Sequence, residues 1–389
     1  MTTSSDSRSR PFPYLPVLLV AFGHFVHDIF PAFYGVLLPI LAPTLGLSRG
    51  LAGLVTLARQ VPATLNPFLG YLADRTSVRW FVILAPGLTA TGMTLLGLVP
   101  NVWTLTLLLF LVGISVALFH APAPALVAEV SHPYTGRGMS FFMAAGELGR
   151  SVGPLLAIWG VTALGLRGLP ALALLGWMAS AVLAWRLAAV EARARNHRPP
   201  ATRAVLQRWM ARMGLPLAVL ILGRALIVGS MGTYLTWYLT DSGLPWARAG
   251  FWVTVYEAAG VVGALTTGTL SDWMGRRRTI ALATGAAAAL LTGMVLTPGP
   301  WKPWWLPFLG FTALSVQPVM LALVQDSAVN HRATANGIYI AMSFLLRPVG
   351  VTFIGALADG WGSWDPALLV AAALAVASLM ALRWIPSTA

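Results

Sequence analysis

The sequence predicts an all-α integral membrane protein, twelve transmembrane helices in two pseudo-symmetric six-helix bundles. Three observations carry this reading. The 389-residue chain is 57% hydrophobic and only 10% charged, with a mean hydropathy of +0.76, whereas a soluble domain carries about 25% charged residues. Apolar runs of about 20 residues, the length that crosses a bilayer, recur along almost the whole chain and leave no room for a separate soluble domain. Two loop motifs also recur at nearly one spacing, as a duplicated unit requires.

The apolar runs segment into spans near 15–38, 51–72, 80–99, 102–128, 138–160, 168–187, 214–239, 249–270, 279–297, 303–326, 335–358 and 366–384. The longest internal polar stretch, with Pro199-Pro200 and an arginine run from Arg186 to Arg212, follows the sixth span. The expected organisation is therefore a disordered cytoplasmic N-terminus over 1–12, a first bundle over 13–187, a cytoplasmic linker over 188–213 and a second bundle over 214–389. The linker's arginine run is equally compatible with a short surface helix and with a solvated strand of chain.

The net charge of +13 raises the question of a polyanionic partner, and the placement of the charges answers it. With the N-terminus inside, seventeen arginines fall in cytoplasmic segments, among them Arg75, Arg79, Arg137, Arg208 and Arg276–Arg278. Only four basic residues, Arg49, Arg167, Arg248 and Lys302, fall outside. That asymmetry is the positive-inside rule; it places both termini in the cytoplasm, in a bacterial inner membrane, and makes the basic balance a report on topology rather than on nucleic acid. The chain has no cysteine, which excludes disulfides and thiolate metal sites. The first span lacks a small-residue cleavage site and reads as a retained helix.

The halves repeat each other. Gly70-Tyr71-Leu72-Ala73-Asp74-Arg75 follows span two and Gly268-Thr269-Leu270-Ser271-Asp272-Trp273 follows span eight, with the two aspartates 198 positions apart. His132 with Gly138, entering span five, matches His331 with Gly337, entering span eleven, at an offset of 199. Two loops in register indicate parallel repeats of the kind transporters use.

The pattern G-x-x-x-D followed by basic residues resembles the signature of the major facilitator superfamily, most fully in Gly268 to Arg278. His24-Phe25-Val26-His27-Asp28, Phe119-His120-Ala121 and the run from Gly146 to Pro154 are similar to stretches of the fosmidomycin-resistance subfamily of efflux proteins. The resemblance implies an alternating-access transporter. Gly70, Asp74, Arg75, Gly268, Asp272 and Arg276 are then expected to form a cytoplasmic latch: the glycines permit close helix approach, the aspartates sit at helix N-termini of the other half, and the arginines bridge to acids such as Glu129. Such contacts hold one orientation closed and break in the other. The R-x-x-Q-G element of many drug/proton antiporters is absent.

An ionisable residue at mid-membrane costs about 2.5–3.5 kcal/mol or more and by default faces a cavity or a partner. His24, His27, Asp28, Arg59, His120, Glu147 and Arg150 in the first half qualify, with Arg224, Glu257, Arg347 and Asp326 in the second. His24, His27 and Asp28 share one helix face. An imidazole titrates near neutral pH and a desolvated carboxylate rises toward it, so Asp28, Glu147, His24 and Glu257 are the expected proton carriers. The bland reading of the histidines is a hydrogen bond to helix backbone, and that of Glu147 with Arg150 a self-neutralising pair. Arg224 is expected to pair with Glu257 across helices, and Arg347 falls within two residues of the repeat position of Arg150. Four intramembrane arginines exceed the three firm acids Asp28, Glu147 and Glu257. Guanidinium groups suit carboxylate or phosphonate clamps, so Arg150, Arg224 and Arg347, with His120, are the expected contacts of an anionic or zwitterionic substrate. Arg59 reads equally as a side chain reaching for the interface. Tyr34, Trp237, Tyr238, Trp252, Tyr256 and Phe344 are candidate cavity aromatics.

No Walker A sequence is present, so an ATP-driven pump is not expected. His24, His27, Asp28 and His120 have the residue types of a metal or haem site, but nothing else in the chain points to redox or hydrolytic chemistry; no enzyme activity, cofactor or metal is expected. The expected partners are a small-molecule substrate, protons and the lipid bilayer, with the protein a monomer. Proton-driven export of a drug or metabolite is the first functional reading, and proton-coupled import of an anionic nutrient or metal-chelating metabolite the alternative.

Overall fold

The computed structural model describes residues 11–65, 79–132, 134–187, 203–328 and 332–385. Twelve helical segments follow one another: α1 Tyr14–Leu45, α2 from Arg49, α3 Arg79–Leu98, α4 Val102–Val130, α5 Thr135–Leu164, α6 Leu166–Leu187, α7 Gln207–Asp241, α8 Trp246–Met274, α9 Arg276–Leu296, α10 Gly299–Ser327, α11 Arg332–Gly360 and α12 Trp364–Trp384. Among the described residues, ten regions are both long and apolar enough to cross a bilayer. Of the other two, α2 is described only as far as Leu65, and α5 is long enough at 30 residues but carries Arg137, Glu147 and Arg150. Gly70, Asp74 and Arg75 lie outside the described residues, as do His331, residues 1–10 and the 188–202 part of the expected linker. The rest of that linker is not loop: a helix already runs from Arg203 and continues into α7, because the arginines of 203–212 are good helix formers.

Several spans are broken where the sequence dictates. Pro31 lies in a 3-10 turn, Phe30–Ala32, that divides α1. Pro122 interrupts α4 between His120 and Ala123. A π-helical turn, Ala225–Gly229, interrupts α7. Proline removes a backbone donor and kinks a helix, and irregular backbone at membrane depth is tolerated where protein or a cavity surrounds it.

Among the described residues the two halves pack together most closely toward one end. The arginine-rich end is where α3, α5, α7 and α9 begin; the opposite end is where α2, α8 and α12 begin. Toward the opposite end, one apolar core runs continuously from Phe33, Leu37 and Leu41 of α1 to Tyr234 of α7, Tyr256 of α8 and Ile354 of α11. Toward the arginine-rich end the core divides: one cluster around Phe119, Phe142 and Leu183 belongs to the first half, another around Leu217, Met320 and Tyr339 to the second. Glycines show the same asymmetry. A Cβ on Gly53 would meet the Thr352 backbone at 2.8 Å, and one on Gly35 the Gly232 carbonyl at 2.8 Å. At Gly136, Gly268 and Gly337 nothing lies within 4 Å. Among the described residues the protein is therefore sealed at the opposite end and parted at the arginine-rich end.

Candidate functional site

The polar residues of α1, α4 and α5 converge where the two halves part. Gly146, Gly149 and Gly153 bring α5 against α1: a Cβ on Gly149 would sit 2.3 Å from the Phe25 carbonyl and one on Gly153 2.2 Å from that of Ile29. This close approach sets Glu147 and Arg150 beside the His24–Asp28 face. The Pro122 break ends the first part of α4 at His120, which turns toward the same point.

Asp28 is the hub. Its Oδ2 lies 3.3 Å from His24 Nε2 and 3.9 Å from Arg150 Nη1, and its Oδ1 lies 3.4 Å from His120 Nε2. Asp28, His24 and His27 are all buried. His24 Nδ1 is 2.8 Å from the Phe142 carbonyl oxygen, so Nδ1 carries the hydrogen. His27 stacks on Phe119 at 4.4 Å and neither of its ring nitrogens is bonded among the described residues.

Arg150 is shared. It bonds Glu147 on its own helix, reaches Asp28 on α1, and places Nε 3.9 Å from Glu257 Oε2 on α8. The last contact joins the two halves. Glu257 therefore faces Arg150 rather than Arg224, correcting the expected cross-helix pair; Arg224 Nη2 instead donates to Gln317 Oε1 of α10 at 2.8 Å. The sequence offers no signal for Gln317, a neutral residue in an apolar run. Arg59 Nη1 donates to the Pro31 carbonyl at the α1 break, 3.2 Å away, so the arginine turns inward rather than to an interface. Arg347 lies against Gly229 and Gly232 of the π-bulged α7 and makes no ion pair among the described residues. The charges of Arg59, Arg150, Arg224 and Glu257 all act on it. Tyr256, fully buried beside Glu257, has an unbonded hydroxyl among the described residues.

At the arginine-rich end, Arg276 binds Asp272 at 2.5 Å and Asp326 of α10 at 3.2 Å, and also Ser271. All four belong to the second half, and Gly268 faces open space. Among the described residues Asp272 and Arg276 thus pair within the second half, and Gly268 is not a point of close approach here. Asp326 is part of this end cluster rather than of the central site. Glu129 stands in the last turn before Val130, at the end of α4.

Among the described residues a polar cluster also joins the halves at the opposite end, where no site residue is expected from sequence. Arg49 Nη2 lies 3.2 Å from Asp241 Oδ2, the Asp359 carboxylate accepts from the Arg49 and Gly50 backbone N–H groups at 2.9 and 2.8 Å, and the Arg49 guanidinium lies 4.9 Å from the Trp364 ring centroid. The Tyr234 hydroxyl donates to the Arg49 carbonyl at 2.7 Å, and Trp246 Nε1 to that of Val36 at 2.7 Å. The one sequence clue is that Arg49 is among the few basic residues on its side.

Comparison with known proteins agrees with this architecture. A family model described as Major Facilitator Superfamily matches residues 20–350. The chain belongs to the major facilitator superfamily. Among curated major facilitator relatives, the chain is 24% identical over 347 residues to the fosmidomycin resistance protein of Escherichia coli strain K12, covering 87% of this chain and 85% of that protein. It is 22% identical over 389 residues to YfnC of Bacillus subtilis strain 168, an uncharacterized MFS-type transporter, covering 95% and 92%. Among solved structures it resembles a bacterial homologue of the human lysosomal transporter Spinster in an inward-facing, unoccupied conformation. The TM-score is 0.76 at 14% identity, covering 97% of this chain and 98% of that one. The protein is thus a multi-pass bacterial membrane transporter with the family's twelve-helix fold, not an enzyme, and it acts on a small molecule within a lipid bilayer.

Proposed function

We propose that this major facilitator protein exports a small anionic or zwitterionic compound in exchange for protons, as a monomer in the bacterial inner membrane with both termini in the cytoplasm. The observation that supports this best is Arg150, which bonds Glu147, lies near Asp28 and approaches Glu257 of the other half. An anion at Arg150 competes with these three carboxylates for one guanidinium. A carboxylate displaced from Arg150 has lost its partner cation, and a proton can take that cation's place. Substrate binding and proton binding are thereby coupled through a shared cation, and His24 and Glu257 extend the set of proton acceptors.

Arg224, Arg347 and His120 complete the substrate side. Arg347 lacks a carboxylate partner among the described residues, which suits it to a carboxylate or phosphonate clamp. Export is favoured over import by the likeness to the fosmidomycin resistance protein. In alternating access the Arg49–Asp241–Asp359 contacts hold the outer end closed while the cavity opens to the cytoplasm. On outward opening the cytoplasmic latch, Gly70, Asp74 and Arg75 with Gly268, Asp272, Arg276 and Glu129, closes in its place.

The test is proton movement in proteoliposomes screened against anionic and zwitterionic compounds. Substrate-dependent proton flux opposite in direction to labelled substrate supports exchange; flux in the same direction as substrate replaces it with symport. Labelled substrate crossing without proton flux rejects coupling.

A further inference from the structure

We propose that His24, Asp28 and His120 form a binding site for one divalent transition-metal ion of the zinc class. The three groups each offer one ligand atom, and these atoms lie within 4.8 Å of one another. Metal–nitrogen and metal–oxygen bonds of 2.0–2.2 Å at tetrahedral angles separate neighbouring ligand atoms by about 3.4 Å. Asp28 Oδ2 to His24 Nε2 is 3.3 Å and Asp28 Oδ1 to His120 Nε2 is 3.4 Å, so each imidazole already stands at that spacing from one oxygen of the carboxylate. His120, whose side chain is 29% exposed against 5–6% for the other two, is the ligand with the most room to adjust onto the shared oxygen and marks the side from which an ion enters.

Two further observations point to a cation at this position. The Phe142 carbonyl can only accept, so His24 Nδ1 donates to it, and in the neutral ring Nε2 is the nitrogen that carries the lone pair on the carboxylate side. A metal-ligating histidine is held in the same way, by a carbonyl on its other nitrogen. Asp28 Oδ1, within a side chain that is 6% exposed, receives no hydrogen bond among the described residues. Two imidazole nitrogens and a buried carboxylate therefore converge on one point. The His24 ring is fixed by stacking on Phe142 at 4.0 Å.

The surrounding charges permit a dication. Arg150 is the nearest opposing cation, 3.9 Å from Asp28 Oδ2, and it is bonded to Glu147 and lies 3.9 Å from Glu257. Arg59 is turned to the Pro31 carbonyl. His27 packs against Phe119, with its ring centroid 5.3 Å from that of His120. Two imidazoles and one carboxylate suit zinc, cobalt or nickel, whereas calcium and magnesium favour all-oxygen shells. An ion there ties α1 to α4 and removes Asp28 from Arg150, so it inhibits transport.

The test uses the full chain without a histidine tag, purified in detergent, stripped with chelator and titrated with Co2+ by visible absorption and with Zn2+ by calorimetry. One equivalent binds, and Co2+ gives the strong visible band of a tetrahedral site. His24→Gln, Asp28→Asn and His120→Gln each weaken binding by about 100-fold or more, while His120→Cys, which supplies another zinc donor, keeps it, and His132→Gln leaves it unchanged. Size-exclusion profiles identify which variants are folded. Absence of binding by the wild-type protein, or undiminished binding by a folded variant lacking two of the three ligands, overturns the proposal. Because binding is read without transport, zinc bound by a protein that moves no protons would reject the coupling reading alone, and proton flux in a protein that binds no zinc would reject this one alone.

Discussion

Arg49 Nη2 lies 3.2 Å from Asp241 Oδ2 and so ties α2 of the first half to α7 of the second at the end opposite the arginine-rich one. Asp359 adds hydrogen bonds to the backbone of Arg49 and Gly50, and Trp364 lies within cation–π reach of the same guanidinium. Exposed ion pairs contribute little singly, but a pair with a ring contact together contributes about 1–2 kcal/mol. Arg49→Gln should therefore shift the population toward opening of this end by roughly fivefold to thirtyfold. The chain lacks cysteine, so a spin-label pair at Ser48→Cys and Ser363→Cys reports the change directly. A longer-distance population should grow in Arg49→Gln; unchanged distances would show that apolar packing alone closes this end.

The contact of α1 with α5 makes a separate prediction about stability. A Cβ at Gly149 would lie 2.3 Å from the Phe25 carbonyl, which as backbone has little freedom to yield. Gly149→Ala should destabilise the protein by about 1–3 kcal/mol and displace Asp28 from Arg150. Gly136 is helical with nothing within 4 Å, and Gly136→Ala should be neutral or stabilising by up to about 1 kcal/mol. Thermal unfolding in detergent compares the two. Equal melting temperatures would mean that α1 and α5 are less closely packed than described.

Arg347 tests the nature of the substrate. Lysine keeps the charge but loses the planar fork, and a hydrogen bond to a charged group contributes about 1.5–3 kcal/mol. Arg347→Lys should thus weaken the apparent affinity for an anionic substrate by about tenfold or more, with the melting temperature preserved. Wild-type affinity in that variant would remove Arg347 from the binding site.

The spans were legible because membrane crossing demands long apolar helices, and the intramembrane charges were legible because each is costly enough to stand out. The grouping of His24 with Asp28 followed from helix periodicity. Partner choice was not legible. Glu257 faces Arg150 and not Arg224 because the meeting of α5 with α8 is a tertiary property. The Arg49 latch was equally hidden: its partners Asp241 and Asp359 are far away in sequence, and nothing local distinguishes an aspartate at a helix end from a solvated one. The signature motif drew attention to the arginine-rich end, yet its described members pair within the second half in this conformation.

The central claim is that Asp28 carries the proton that Arg150 controls. The most direct measurement is substrate-driven proton flux, read with a pH-sensitive dye in proteoliposomes, for wild type and Asp28→Asn, alongside counterflow exchange of labelled substrate. Asp28→Asn should abolish proton flux while counterflow persists in part, because asparagine keeps the shape of the site without the titratable group. Wild-type proton flux with unchanged pH dependence in Asp28→Asn would contradict it.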